Sequence, residues 1–134
     1  MAALFAATYE ASAANIGLLR NQLAALARDC GLDDSTVGAV RLAVSEAATN
    51  ALVHGYRGKG GMIRVEADLD EAELHIRVRD RGIGMEPRTD SPGLGLGLPV
   101  IASVADHVEV VQATPGTEVH MAFPCPVPPG RDGV

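Results

Sequence analysis

The chain has 134 residues and a mass of 13.9 kDa, which suits one domain with a core of its own. An apolar fraction of 47% against 21% charged residues excludes a disordered chain, and no apolar run reaches the roughly 18 residues of a membrane span. A net charge of −6 and a pI of about 5.1 argue against direct nucleic-acid binding, which needs a basic surface.

Residues 3–9 read as a short opening strand. Ser12 stands where an N-cap belongs, and Ile16, Leu19, Leu23 and Leu26 recur at helical spacing as far as Cys30, with Gly31 as the C-cap. A second helix begins near Asp33-Asp34-Ser35 and runs through Val37, Val40, Val44, Ala47, Ala48 and Ala51 to about His54, where Gly55 ends it. Arg57–Gly61 is a turn. Met62–Leu69 and Glu73–Asp80 alternate like two strands of a hairpin, with Ile63, Val65 and Ala67 facing inward on one and Leu74, Ile76 and Val78 on the other. A glycine- and proline-rich segment covers residues 81–97, a short helix follows over Leu98–Ala105, and strands near 107–113 and 117–123 close the domain around Thr114-Pro115-Gly116. The expected fold is α+β: a two-layer sandwich with a mixed, mostly antiparallel sheet and about three helices on one face. The domain spans residues 1–123, and the proline-rich stretch 124–134 reads as a loose tail that cannot continue a sheet. Met1–Phe5 lacks the basic start of a signal peptide, and Cys30 and Cys125 fit reduced thiols, so a cytoplasmic location is expected.

Three constellations carry chemistry. Glu46 and Asn50, four apart, share one face of the second helix, while Val40, Val44, Ala47 and Ala51 face the sheet. The carboxylate can take a proton from a hydroxyl, and the amide oxygen can complete a Mg²⁺ shell. Asp80 ends a strand before Arg81-Gly82-Ile83-Gly84. An ionised Asp only accepts hydrogen bonds, so it suits the 6-amino group of adenine and repels the oxygen of guanine. Gly82 and Gly84 allow a base or ribose close to the backbone. Gly93-Leu94-Gly95-Leu96-Gly97-Leu98 precedes a helix, where free backbone N–H groups and the helix N-terminus favour an anion. Taken singly, each also reads as ordinary structure: a solvated helix pair, a turn after an edge strand, a flexible loop. It is their order and context together that point to a nucleotide site.

With these motifs in place, the chain resembles the GHKL ATPases of the Bergerat fold. Glu46–Gly55 looks like the N box, Asp80–Gly84 the G1 box and Gly93–Leu98 the G2 box, and Gly116-Thr117 is similar to the Gly-Thr that closes the adenine pocket. Within that group, Glu46–Tyr56 looks most like the stand-alone bacterial anti-sigma factor serine kinases. The resemblance implies ATP or ADP with Mg²⁺ as cofactors and Glu46 as general base toward a partner serine. It implies Asn50 as the Mg²⁺ ligand and Asp80, with Thr117, at the adenine. It also implies Gly82 and Gly84 shaping the pocket, and Gly93, Gly95, Gly97 and Leu98 around the phosphates. Arg88 is the one basic residue between the two glycine boxes, a candidate for the terminal phosphate. Ser91-Pro92 stand where that family often carries an arginine. The implied partners are a sigma factor and a STAS-domain anti-sigma factor antagonist, and the implied assembly is a homodimer. Two other readings stay open: a nucleotide-binding interaction module with little or no kinase activity, and an orphan histidine-kinase ATPase domain.

Overall fold

The computed structural model describes residues 4–55, 61–70, 72–81, 97–112 and 116–125. In chain order these form β1 (Phe5–Glu10), α1 (Ala13–Asp29), α2 (Asp34–Asn50), a π-helical turn (Ala51–Gly55), β2 (Met62–Leu69), β3 (Glu73–Asp80), α3 (Gly97–Val104), β4 (His107–Gln112) and β5 (Thr117–Pro124). The elements agree with the sequence pattern because each boundary carries its own chemical signal. Ser12 accepts a hydrogen bond from the Asn15 amide at 3.1 Å, as expected of the N-cap of α1, and Asp33 accepts one from the Thr36 amide at 2.8 Å, which caps α2 at its expected start. Gly31 has φ of 90°, and the Leu32 and Gly31 amides donate back to the carbonyls of Ala27 and Arg28, which is the Schellman closure of α1.

Most boundaries shift by no more than a residue or two from expectation, and two differ in kind. The second helix does not reach His54 as regular α-helix; it ends at Asn50 and widens into the π-turn. The last strand runs on through Pro124, opposite Glu73, and Cys125 is buried. Proline is tolerated there because it ends the ladder, and the next amide, that of Cys125, donates to the Ala72 carbonyl at 2.8 Å. The Cys125 thiol donates to the Cys30 carbonyl at 3.3 Å, tying the end of β5 to the end of α1. Residues 126–134 lie outside the described residues.

The five strands are ordered β1-β2-β3-β5-β4, and every pairing is antiparallel. The expected sandwich is therefore present in its fully antiparallel form. Register sorts the side chains into two faces. On the inner face, Val65, Val78 and Val119 form one cross-strand row and Ala67, Ile76 and Met121 the next, all buried. Against them pack Ile16, Leu19 and Leu23 of α1, Val37, Val40, Ala43, Val44, Ala47 and Ala48 of α2, and Ile101 of α3. α2 lies between α1 and α3 and touches β3 and β5, so it is the central element of the helical layer.

The outer face is a polar lattice. Arg77 donates to Asp68 at 2.6 Å and stands 3.7 Å from Glu66, which Arg64 also meets at 3.0 Å. Backbone amides of Ala72 and Glu73, with the ring of His75, hold Asp70 down to about 2. Burial, reinforced by His75 and Arg77, holds His120 below the usual histidine range.

Two outcomes test this description. Leu23 is fully buried, so Leu23→Ala should cost about 2–5 kcal/mol of stability in urea denaturation. The Thr36 amide holds the Asp33 carboxyl below its ordinary value. Its contribution is therefore whole above about pH 4 and is lost as pH falls through the lower folded-state value. Asp33→Ala should lower the melting temperature at pH 7, and the gap to wild type should close on acidification below that range.

Candidate functional site

Most of the sheet's inner face is apolar, but its last row is not. In register that row reads Tyr9, Ile63, Asp80, Thr117 and Gln112. Asp80 extends the inward alternation of Leu74, Ile76 and Val78 by one more step, so a carboxylate takes a position that the pattern reserves for an apolar side chain. It is 2% exposed, and Thr117 directly opposite is fully buried. The Thr117 hydroxyl donates to the Gln112 side-chain oxygen at 3.2 Å. Gln112 was not singled out in the sequence; its place two residues before the closing turn and across from Thr117 was the available signal.

Gly116 shows why the strand end needs glycine. Its φ is +102°, and a Cβ there would stand 1.9 Å from the Asp80 carbonyl oxygen and 2.7 Å from the Arg81 Cα. The chain entering β5 thus lies directly against the backbone leaving β3, and no larger residue fits without moving Asp80.

The second part of the site comes from α2. Glu46 is half-buried and Asn50, one turn on, is 4% exposed, so this is not a solvated pair on an open helix face. Asn50 Nδ2 is buried with no hydrogen-bond partner among the described residues. An unpartnered amide is costly inside a protein unless something else satisfies it. The π-turn that begins right after Asn50 packs against β3, which brings this helix end to the strand that carries Asp80. Single π-turns within helices are frequent at functional sites.

Among the described residues, Asn50, Asp80 and Thr117 are the three buried polar side chains, and all three are residues the sequence had marked. Of the glycine boxes, Gly97 opens α3 and Leu98 follows it, so the segment leads directly into a helix N-terminus as expected. Gly82, Gly84, Arg88, Gly93 and Gly95 lie outside the described residues. What is described fits a nucleotide: a buried carboxylate acceptor at a strand end, a buried amide donor without a partner among the described residues, and a backbone approach only glycine allows.

A family model described as a histidine kinase-like ATPase domain matches residues 9–123. The chain belongs to this family. Curated relatives of this histidine kinase-like ATPase domain include the anti-sigma F factor of Clostridium acetobutylicum, 43% identical over 82 residues, covering 53% of this chain and 57% of that protein. The anti-sigma F factor of Bacillus thuringiensis is 36% identical over 95 residues, covering 61% and 65%. The chain therefore spans little more than half the length of the first of these relatives. Among solved structures, the RsbU and RsbW domains of a Mycobacterium tuberculosis protein match with a TM-score of 0.68 at 22% identity, over 89% of this chain and 32% of that one. The histidine kinase domain of a blue-light activated histidine kinase from Erythrobacter litoralis matches with a TM-score of 0.61 at 23% identity, over 82% and 61%. These two share the fold.

The close approach at Gly116 gives a sharp expectation for this ATPase domain. Gly116→Ala combines a strained backbone with a backbone collision, at a cost of about 1–3 kcal/mol or more. Its melting temperature should fall, and the stabilisation that ADP gives the wild type should disappear. Unchanged ADP stabilisation in the variant would show that the Asp80–Gly116 contact does not shape the pocket.

Proposed function

We propose that this chain is an ATP-binding anti-sigma regulatory factor with serine/threonine-protein kinase activity. In this reading it phosphorylates a STAS-type anti-sigma factor antagonist and sequesters a sigma factor in the cytoplasm. The observation that carries the reading is that the buried polar side chains among the described residues are Asn50, at the end of α2, and the cross-strand partners Asp80 and Thr117 of β3 and β5, two strands that α2 touches. The naming of the relatives as anti-sigma F factors supports the choice of partner class.

In this reading Asp80 accepts a hydrogen bond from the adenine 6-amino group, which fixes the base and discriminates against guanine. Thr117 shares that task from the neighbouring strand, held in place by Gln112. Asn50 would hold Mg²⁺ through its side-chain oxygen, and the ion would supply charge neutralisation at the phosphates. With ATP bound, a partner serine hydroxyl would take the γ-phosphoryl group on its oxygen as the bond to the β–γ bridging oxygen breaks and ADP leaves. Glu46 Oε takes the serine hydroxyl proton, and its half-buried place one turn before Asn50 suits a base working beside the metal ligand. Catalysis of this kind is largely positioning and charge neutralisation. Two copies pairing into a homodimer is part of the reading. β1 is an edge strand of the sheet, and Leu4, which leads into it, is 49% exposed.

The test mixes purified protein with γ-labelled ATP, Mg²⁺ and a lysate of its source organism. Wild type should place an acid-stable label on a small second protein. Glu46→Ala should lose at least about a hundredfold of that labelling while still binding ATP, in line with the usual contribution of a general base. Asn50→Ala should lose both labelling and Mg²⁺-dependent binding. No label from wild type that demonstrably binds ATP would overturn the kinase reading in favour of a nucleotide-dependent binding module. An acid-labile label would instead point to histidine transfer.

A further inference from the structure

The outer face of the sheet, opposite the helices, holds a second constellation that the nucleotide chemistry does not use. His75 on β3 and His120 on β5 occupy diagonal positions, since His75 pairs with Ala122 and His120 with Arg77. His75 Nδ1 and His120 Nε2 stand 3.2 Å apart, with ring centroids at 5.4 Å and planes tilted by 50°. Both rings are partly buried, and Ala122, the small residue they flank, is 1% exposed although its side chain belongs to this outer face. His107 on β4 lies on the other side of Ala122 in the same row.

The other nitrogen of His75 is fixed from behind. Its Nε2 is 2.6 Å from Asp70 Oδ2, and the Ala72 and Glu73 amides each donate to Asp70 Oδ1 at 2.9 Å. Asp70 is thus anchored as an acceptor, and His75 donates to it through Nε2–H. That leaves the lone pair of Nδ1 directed at His120. A carboxylate that orients a histidine by its far N–H, leaving the near nitrogen to a metal, is the usual outer-shell arrangement of metal-binding histidines.

We propose that His75 Nδ1 and His120 Nε2 form a binding site for a divalent transition-metal ion of the zinc class, with Asp70 as the residue that positions His75. Two zinc–nitrogen bonds of about 2.0–2.1 Å at a tetrahedral angle place their nitrogens about 3.3 Å apart, close to the spacing already present. Binding needs the His120 proton to sit on Nδ1, a change of tautomer without net proton release, and a turn of the two rings that makes their lone pairs converge on the ion. Asp70, Glu73 and His75 also bring one donor each within 4.8 Å of one another. However, the 2.6 Å between Asp70 Oδ2 and His75 Nε2 is a hydrogen-bond length, shorter than the separation of two ligands on one zinc ion. The field favours a cation: Glu66, Asp68, Asp70, Glu73, Glu109 and Glu118 share this face or its rim with Arg64, Arg77 and Arg79. Arg77, the cation opposite His120, is bonded to Asp68 and faces Glu66. Glu109, opposite His120 on β4, is the nearest carboxylate in register that could join the shell.

The experiment titrates zinc chloride into the full chain in chelator-stripped buffer without nucleotide or Mg²⁺, read by calorimetry. Wild type should bind one equivalent. His75→Gln and His120→Gln should each weaken binding at least about tenfold, and Asp70→Asn by about 10–100-fold. Circular dichroism should be unchanged, and so should ATP affinity. The site lies five residues along β3 from Asp80, about 17 Å away. Long-range proton–nitrogen NMR of wild type supplies the assignment without a variant: His75 Nδ1 and His120 Nε2 should shift as ligated nitrogens. The proposal is overturned if wild type takes up no zinc, if both histidine variants bind as well as wild type, or if the shifted nitrogen is His75 Nε2. It is equally overturned if cobalt substitution gives a thiolate charge-transfer band, which would place the ion on Cys30 and Cys125.

Discussion

The molecule depends on how α2 can lie against the sheet and between its two neighbours. Ala43, Ala47, Ala48 and Ala51 are all at most 1% exposed, so the buried side of this helix is built mainly from the smallest side chains together with Val37, Val40 and Val44. Small residues let the helix axis approach β3 and β5 closely while α1 and α3 flank it. A helix of leucines here would hold the layer further out and with it Asn50, whose buried position at the helix end is a by-product of that close packing. The core accordingly uses few aromatics, and among the described residues Phe123 is the one aromatic with a fully buried side chain.

Polar burial is concentrated. Among the described residues burial otherwise means apolar, and the departures are Asn50 at the end of α2 and the paired Asp80 and Thr117 at one end of the sheet's inner face. Such local departures cost stability and persist where something other than packing selects them. The outer face obeys a different rule: its charged side chains satisfy one another in pairs and triples, which lets a sheet carry half-buried arginines and histidines without a helical cover.

Much of this was readable in the residues. Met62–Leu69 and Glu73–Asp80 emerged with their observed ends because period-two alternation has a sharp stop at each turn. Ser12, Gly31 and Asp33 marked helix ends because caps are local chemistry. The continuation of β5 to Cys125 was hidden, because proline normally signals a break and only the tertiary contact of the Cys125 amide with Ala72 reverses that. The π-turn was hidden for a similar reason: apolar periodicity continues through Leu52 and Val53, and the change from α to π geometry leaves no mark in composition. At the site, Glu46, Asn50, Asp80 and Thr117 could be named individually, but the register that sets Asp80 opposite Thr117 and Thr117 opposite Gln112 belongs to the sheet. The histidine pair escaped entirely, since 45 residues separate two positions that become diagonal neighbours.

The pairing of Asp80 with Thr117 has a further implication for how such a domain can vary. Between Asp80 and Thr117, partners across β3 and β5, the chain returns through α3 and then β4, which is itself paired with β5. The stretch from Arg81 to α3 is therefore closed over a preformed stem, the β3–β5 ladder, and its closure entropy grows only logarithmically with length, by about 0.6 kcal/mol for each doubling. Insertions or deletions between Arg81 and α3 leave the stem in register. The segment can thus be remodelled for a different partner or turnover rate while the β3–β5 ladder beneath it stays the same.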